Sequence, residues 1–335
     1  MKVLGIESSC DETAAALVTD EKEILSNVIC SQIEEHKPFG GVVPETAARA
    51  HLEKIDFTVK KALEDAGSEL SETSAIAGTC GPGLIGGVIV GSVFARTLAM
   101  VLNVPFVAVN HLEAHALSVR LTDDVQFPYL VLSISGGHCH LCIVRSAADF
   151  EILGKTSDDS VGESFDKTAK LLGFGYPGGP AVEKAAAFGD DRRFSLPRPM
   201  CRNGSLDFSF AGLKTAVRLA AEKCKTDRDK FDLCASFQKA VADVLSYKMR
   251  EALKVCEKKN VALTAVAAVG GVAANKSVGI VLQNVCDRFG MRFFTPPLRL
   301  CTDNGAMAAW VGIEKLKIGL CDGLKFAPRP RWPLP

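Results

Sequence analysis

The sequence predicts an α/β protein of two lobes, each built on a mixed sheet, as though one fold were duplicated. Three observations carry that reading. Short apolar runs of strand length alternate with longer amphipathic or apolar stretches along the chain. Two hairpin-like pairs of such runs lie far apart in sequence. At 335 residues the chain is also long enough to bury two sizeable cores.

The elements follow in order. Residues 2–6 and 14–18 read as a hairpin whose polar turn, Glu7-Ser8-Ser9-Cys10-Asp11-Glu12-Thr13, is rich in acceptors. Residues 46–66 read as an amphipathic helix, with Ala47, Ile55, Val59 and Leu63 near one face. Ala75–Thr79 is a buried strand, Gly81–Gly87 a glycine-rich turn and Val88–Leu102 a buried helix. Phe106–Val109 is a strand leading into a helix that begins near His111. Tyr129–Ser135 and His140–Val144 form the second hairpin, through Gly136-Gly137-His138. The apolar run Ala262–Val269 ends at Gly270-Gly271-Val272-Ala273-Ala274-Asn275, and Met291–Thr295 is a strand before a helix starting near Ala306. The tail Ala327–Pro335 holds four prolines and reads as an extended terminus.

Composition narrows the function classes. Lys+Arg and Asp+Glu are equal at 39 each, so no global positive field exists and any nucleic-acid contact must be local or shared with a partner. Among twelve cysteines the one close pair, Cys139 and Cys142, lies in a strand and points to opposite faces. That argues for reduced, buried thiols in a cytoplasmic protein rather than a zinc or redox motif. Glu7, Asp11 and Glu12 follow the first apolar run too closely for a signal peptide. The uncharged stretch Thr73–Ala95 carries Pro82 and a Gly-Pro-Gly turn, which fits strand, turn and helix and no membrane span.

His111-Leu112-Glu113-Ala114-His115 carries the strongest chemical signal. A helix advances about 100° per residue, so the two imidazoles share a face and can hold one metal ion. Glu113 sits about 200° round from His111 and points away, unlike the catalytic Glu of H-E-x-x-H proteases. A third ligand is required, and Asp303 in Cys301-Thr302-Asp303-Asn304-Gly305-Ala306 is the best candidate, with a helix N-cap as its alternative role.

The paired glycines Gly136-Gly137, Gly178-Gly179 and Gly270-Gly271 follow or join apolar segments, expose backbone N–H groups and match neither a Walker A nor a G-x-G-x-x-G pattern. With the acidic hairpin they describe a nucleotide cleft, and the layout resembles the actin/Hsp70/sugar-kinase-like (ASKHA) ATPase fold. That fold would divide the chain into residues 1–108 with about 302–325, residues 109–301, and a tail over 326–335.

Several segments together resemble one family. They are Gly5–Thr13, Gly40–Glu45, Gly81-Pro82-Gly83-Leu84, His111–His115, Ser135–His138, Phe165–Gly173 and Tyr176–Pro180. Asp207-Phe208-Ser209-Phe210, Gly212-Leu213-Lys214-Thr215, Gly270–Asn275 and Thr302–Gly305 complete the set. In order, from Lys2 to about Lys317, they resemble the tRNA N6-adenosine threonylcarbamoyltransferases (TsaD, once described as an O-sialoglycoprotein endopeptidase), and among these the bacterial and mitochondrial branch. Ala211 and Gly87 stand where the pattern has Ser, both small-for-small changes.

The resemblance implies transfer of a threonylcarbamoyl group from threonylcarbamoyl-AMP to N6 of adenosine 37 in tRNAs reading ANN codons. It implies His111, His115 and Asp303 as ligands of one divalent metal ion, Fe(2+) ahead of Zn(2+). It implies substrate contacts from Ser133, Ile134, Ser135, Gly136, Gly137, Asp166, Gly179, Glu183 and Asn275, and acid/base or orienting roles for Asp11 and Glu12. His138 and His140 stay outside the metal shell. Partners would be tRNA, a catalytically silent paralogue (TsaB-like) and a small ATPase (TsaE-like). The alternatives are an ATP-dependent small-molecule kinase on the same fold and a metallopeptidase. A tRNA surface around Arg192, Arg193, Arg198 and Arg202 is the candidate that basic residues alone supply.

Overall fold

In the computed structural model, which describes residues 1–202 and 204–334, Lys2–Glu7 (β1) and Glu12–Thr19 (β2) pair antiparallel from Lys2↔Thr19 to Glu7↔Ala14. Ile24–Ser31 (β3) extends this pair. A short helix, Ile33–His36 (α1), precedes Pro44–Asp65 (α2), which starts on a proline at its first position, where the missing N–H costs nothing. Ala75–Gly81 (β4), Ile85–Leu102 (α3), Phe106–Asn110 (β5) and His111–Thr122 (α4) follow. Tyr129–Ile134 (β6), Cys139–Ser146 (β7) and Asp149–Lys155 (β8) begin the second sheet. Val161–Leu172 (α5), Gly178–Ala186 (α6), Ala211–Ala221 (α7) and the long Asp227–Lys258 (α8) come next. Val266–Val269 (β9), Lys276–Arg288 (α9), Phe293–Phe294 (β10), Leu298–Cys301 (α10) and Gly305–Lys317 (α11) complete the chain.

The two sheets have the same connectivity. One runs β3-β2-β1-β4-β5 and the other β10-β9-β6-β7-β8. In each, the first strand is central, antiparallel to the next strand in sequence and parallel to a later one on its other side. The duplication expected from two hairpins is therefore present at the level of topology.

Two units result. The first holds Met1–Asp124, Ala147–Asp149 and the chain from Pro297 onward, and the second holds Val125–Ser146 and Phe150–Pro296. The first unit thus continues to Asp124, past the division expected at residue 108, because α4 packs on α11 within it. Its core is made by Leu4, Ile6, Leu17, Ile55, Ile76 and Phe106. The tail is extended, as expected, and it is docked: Arg329 N donates to Cys80 O at 2.7 Å, and Asn110 Nδ2 donates to Trp332 O at 3.2 Å.

Three expectations need correction. The helix after the Gly81–Gly87 turn is buried on one face only: Gly87, Gly91, Ala95 and Ala99 pack inward while Met100 and Val101 are 60% and 72% exposed. Its small residues permit close packing, and its larger apolar residues are left outside. Ala262–Val269 yields a strand only from Val266, and Met291–Thr295 only Phe293 and Phe294. Both are short parallel strands, β10 at the sheet edge and β9 between it and β6, and pairing partners rather than apolar run length set their extent.

Candidate metal centre and nucleotide-binding elements

The first unit assembles the histidine pair from its local sequence. β5 ends at Asn110, whose Oδ1 accepts from Leu112 N at 2.9 Å and caps α4. The helix therefore opens on His111, and the next turn places His115 beside it, with ring centroids 4.7 Å apart and planes at 86°. Asp303 Oδ1 lies 3.0 Å from His115 Nε2 and 3.6 Å from His111 Nε2. One ligand atom from each of the three residues falls within 4.8 Å of the others. Asp303 is not an N-cap. Asn304 takes that place, its Oδ1 accepting from Met307 N at 3.0 Å, which leaves the Asp303 carboxylate for the imidazoles.

A residue that sequence reasoning passed over completes the arrangement. Glu7, fully buried at the end of β1, places Oε2 3.1 Å from His111 Nδ1. Ser9 N at 2.6 Å and Thr79 Oγ1 at 2.7 Å donate to the same carboxylate. Burial and the Asp303 charge oppose its ionisation, yet the His111 ring and the Ser9 side chain outweigh them and hold the carboxyl below its usual range. A proton on His111 Nδ1 bound to Glu7 leaves Nε2 as the lone-pair atom facing Asp303, the usual arrangement of a metal-binding imidazole. Against its burial, the charges of Asp303 and Glu7 raise the His111 pKa to about 9. A divalent cation suits this donor set: two imidazole nitrogens and a carboxylate converge, and a buried carboxylate orients one ring. A carboxylate ending an otherwise apolar strand was the signal for Glu7 in the sequence.

The acidic turn is tied down from several sides. Ser8 Oγ donates to Gly87 O at 2.9 Å, and Leu84 N donates to Ser9 O at 2.8 Å. A Cβ on Gly87 would stand 2.3 Å from Ser8 O, so glycine lets the turn and the helix approach more closely here than a larger residue would. His51, wholly buried, meets Thr13 Oγ1 at 2.8 Å and Cys10 O at 3.1 Å. Asp11 is buried at the start of this turn's descent into β2. Burial, then the charges of Asp303 and Asp11, push the Glu12 carboxyl up to about 10. Glu113 points elsewhere, as its helical phase requires: it is buried and paired with Lys315 Nζ at 2.6 Å.

The second unit holds the other candidate residues. Ser133 and Ile134 end β6, and the parallel register Ser133↔Val269 sends the Gly136-Gly137 and Gly270-Gly271 turns off the same end of the sheet. Ser133 Oγ is buried without a hydrogen-bond partner among the described residues. Ser135 N donates to His138 O at 2.9 Å, closing the turn. Gly136 and Gly137 are exposed and have nothing within 4 Å of a Cβ position. Asp166 on α5 accepts from Gly178 N at 2.7 Å and so fixes the start of α6, where Gly179 is also open. Glu183 Oε1 accepts from Lys276 N at 2.8 Å, and Asn275 caps α9 through Val278 N at 3.1 Å while donating to Gln238 Oε1 at 2.9 Å. Each polar side chain therefore already has a structural task. His138 and His140 stack on each other at 5.7 Å, and burial followed by Lys155 lowers His140 to about 4.

The arginine surface is largely neutralised. Arg193 pairs with Asp229 at 2.5 Å and Arg198 with Asp243 at 2.7 Å. All twelve cysteines are free thiols.

Comparison with known proteins gives this geometry a context. The chain is 56% identical over 342 residues to the tRNA N6-adenosine threonylcarbamoyltransferase of Brucella canis, and equally to that of Brucella abortus strain S19, covering all of this chain and 95% of each relative. Solved structures show the fold. HypF from T. kodakarensis superimposes with a TM-score of 0.62 at 15% identity, over 94% of this chain and 48% of that one. The ROK hexokinase from Thermus thermophilus gives 0.51 at 20% identity, over 95% and 100%. The fold is thus of the actin/Hsp70/sugar-kinase type. The family model for TsaD, tRNA N6-adenosine threonylcarbamoyltransferase, matches residues 23–310, and the chain belongs to that family.

Proposed function

We propose that this chain transfers the threonylcarbamoyl group of threonylcarbamoyl-AMP to N6 of adenosine 37 in tRNAs that read ANN codons, releasing AMP. The full-length identity of 56% to the Brucella threonylcarbamoyltransferases carries the reading, and the His111–His115–Asp303 triad supplies its chemistry. An exocyclic amine is a weak nucleophile, so activation of the acyl carbonyl is where catalysis is needed. When bound, a divalent metal would supply Lewis acidity and a fixed anchor for the oxygens of the transferred group. His111, His115 and Asp303 would hold it, and Glu7 would keep His111 in the ligand tautomer.

Other residues would handle the nucleotide. The N–H groups of the exposed Gly136-Gly137 turn suit phosphate or carbonyl oxygen, with Ser133, Ile134 and Ser135 shaping that turn. The carboxylates of Asp166 and Glu183 suit ribose hydroxyls, Gly179 admits the nucleoside, and the second amide hydrogen of Asn275 suits a ring nitrogen or ribose oxygen. Asp11 and Glu12 would orient or exchange protons beside the triad, as the uncharged form favoured at Glu12 allows.

A kinase on this fold leaves the histidine pair without a task. A peptidase needs Glu113 as base, and Glu113 is buried in an ion pair with Lys315. We assign Fe(2+) ahead of Zn(2+), because two histidines and one carboxylate with open positions form the facial triad typical of Fe(II). Free thiols throughout fit a cytoplasmic setting. A TsaB-like paralogue and a TsaE-like ATPase are the proposed partners. The test is to incubate the purified chain, with those partners, with threonylcarbamoyl-AMP and unmodified tRNA and to analyse the nucleosides. Absence of modified adenosine 37 would sink the assignment.

A further inference from the structure

The second unit contains a cavity of about 310 Å³ between α5 and α7, lined by none of the residues assigned above. Lys167 and Thr168 line it from α5, Lys214, Thr215 and Arg218 from α7, over an apolar floor of Leu171 and Val217. Its volume reaches the lower end of small-ligand pockets. Two observations point to an anion. Thr168 is 1% exposed, yet its Oγ1 has no hydrogen-bond partner among the described residues. A threonine in a helix normally returns its hydroxyl to a carbonyl of the preceding turn, so an unspent buried hydroxyl on a residue of the cavity wall leaves a donor that a ligand can satisfy. The charges are also unbalanced. Asp159 bridges Lys167 at 3.4 Å and Lys214, and Glu163 meets Lys167 at 2.5 Å, while the Arg218 guanidinium makes no ion pair among the described residues. Three cations thus face two carboxylates.

We propose that this groove binds a phosphate group, with Arg218 and Lys214 as the cationic contacts and Thr168 Oγ1 as a hydroxyl donor. Two sources share that chemistry: a backbone phosphodiester of the RNA substrate, which rests on the proposed function, and a free phosphate ion or ester, which does not. The segments Phe165–Gly173 and Asp207–Thr215, in which only Asp166 has a role in the transfer, contribute most of the lining.

The experiment compares the full chain with Arg218→Glu and Thr168→Val, all checked by circular dichroism, using inorganic phosphate by calorimetry and unmodified tRNA across a salt series. An RNA source predicts tRNA affinity about tenfold lower in Arg218→Glu, with a log–log salt slope shallower by about 0.7–0.9 per lost phosphate contact. A free-phosphate source predicts about tenfold weaker phosphate binding in both variants with tRNA affinity unchanged. Equal binding of both probes by all three proteins, or binding of neither by the parent chain, overturns the proposal. Modified adenosine is measured on the same samples. Product formed with no variant effect removes the groove alone, and a variant effect on phosphate without product removes the transferase reading alone.

Discussion

Glu7 Oε2 and His111 Nδ1 stand 3.1 Å apart, both buried, and join the end of the first strand to the first turn of the helix that carries the histidine pair. The contact fixes which imidazole nitrogen faces Asp303. It also makes the proposed metal centre depend on a residue outside the proposed ligand set.

Glu7→Gln removes the charge and keeps the shape. Outer carboxylate partners of metal-bound histidines are typically worth about 10–100-fold in metal affinity, and a loss of that size is expected here with the fold retained. Titration against a chromophoric chelator measures it. Unchanged affinity would show that Glu7 serves only the strand end.

His111→Ala and Asp303→Ala are expected to lose bound metal and transfer together while circular dichroism stays that of the parent chain. Full metal content in Asp303→Ala would exclude that carboxylate from the ligand set.

Removing the metal should also be visible as stability. Metal present at about 100 times its Kd stabilises the folded state by about 2.7 kcal/mol. For units of this size that corresponds to a Tm about 5–10 °C higher with metal than with chelator. Calorimetry on matched samples decides, and coincident transitions would count against a preformed site.

The pH dependence can be read at Asp229, which caps its own helix. Lys225 N and Thr226, through N–H and hydroxyl, donate to its carboxylate and lower its pKa to about 2 from 3.8. A carboxyl lowered on folding contributes stability above its unfolded value and loses it as pH falls. The difference in denaturation midpoint between the parent chain and Asp229→Asn should therefore be constant above about pH 5 and shrink from about pH 4 to 2. A difference independent of pH would mean that the charge plays no part.

Asn110→Ala loses the cap of α4 and the two tail carbonyls, Trp332 O and Pro333 O, that Nδ2 holds. A cost of about 1–2 kcal/mol is expected for the cap, measured by urea denaturation, with faster proteolysis of the tail. Intact stability would show that packing alone sets the helix start.

The sequence by itself determined whatever depends on local period and spacing. The first hairpin, the strand–turn–helix at Ala75–Leu102 and the shared face of His111 and His115 were legible because alternation and the 3.6-residue turn act between near neighbours. The same rule correctly turned Glu113 away. Tertiary structure decided the rest. Ile24–Ser31 reads as a strand only once β2 offers its edge, and the 32-residue α8 is long because α6, α7 and α9 cover its faces. Asp303 could have been a cap until Asn304 took that place, 188 residues along the chain from the imidazole it meets. Glu7 was one acceptor among several in its turn until folding buried it against His111. Periodicity reports which face a residue occupies, whereas the partner across that face comes from elements distant in sequence, and only packing brings those together.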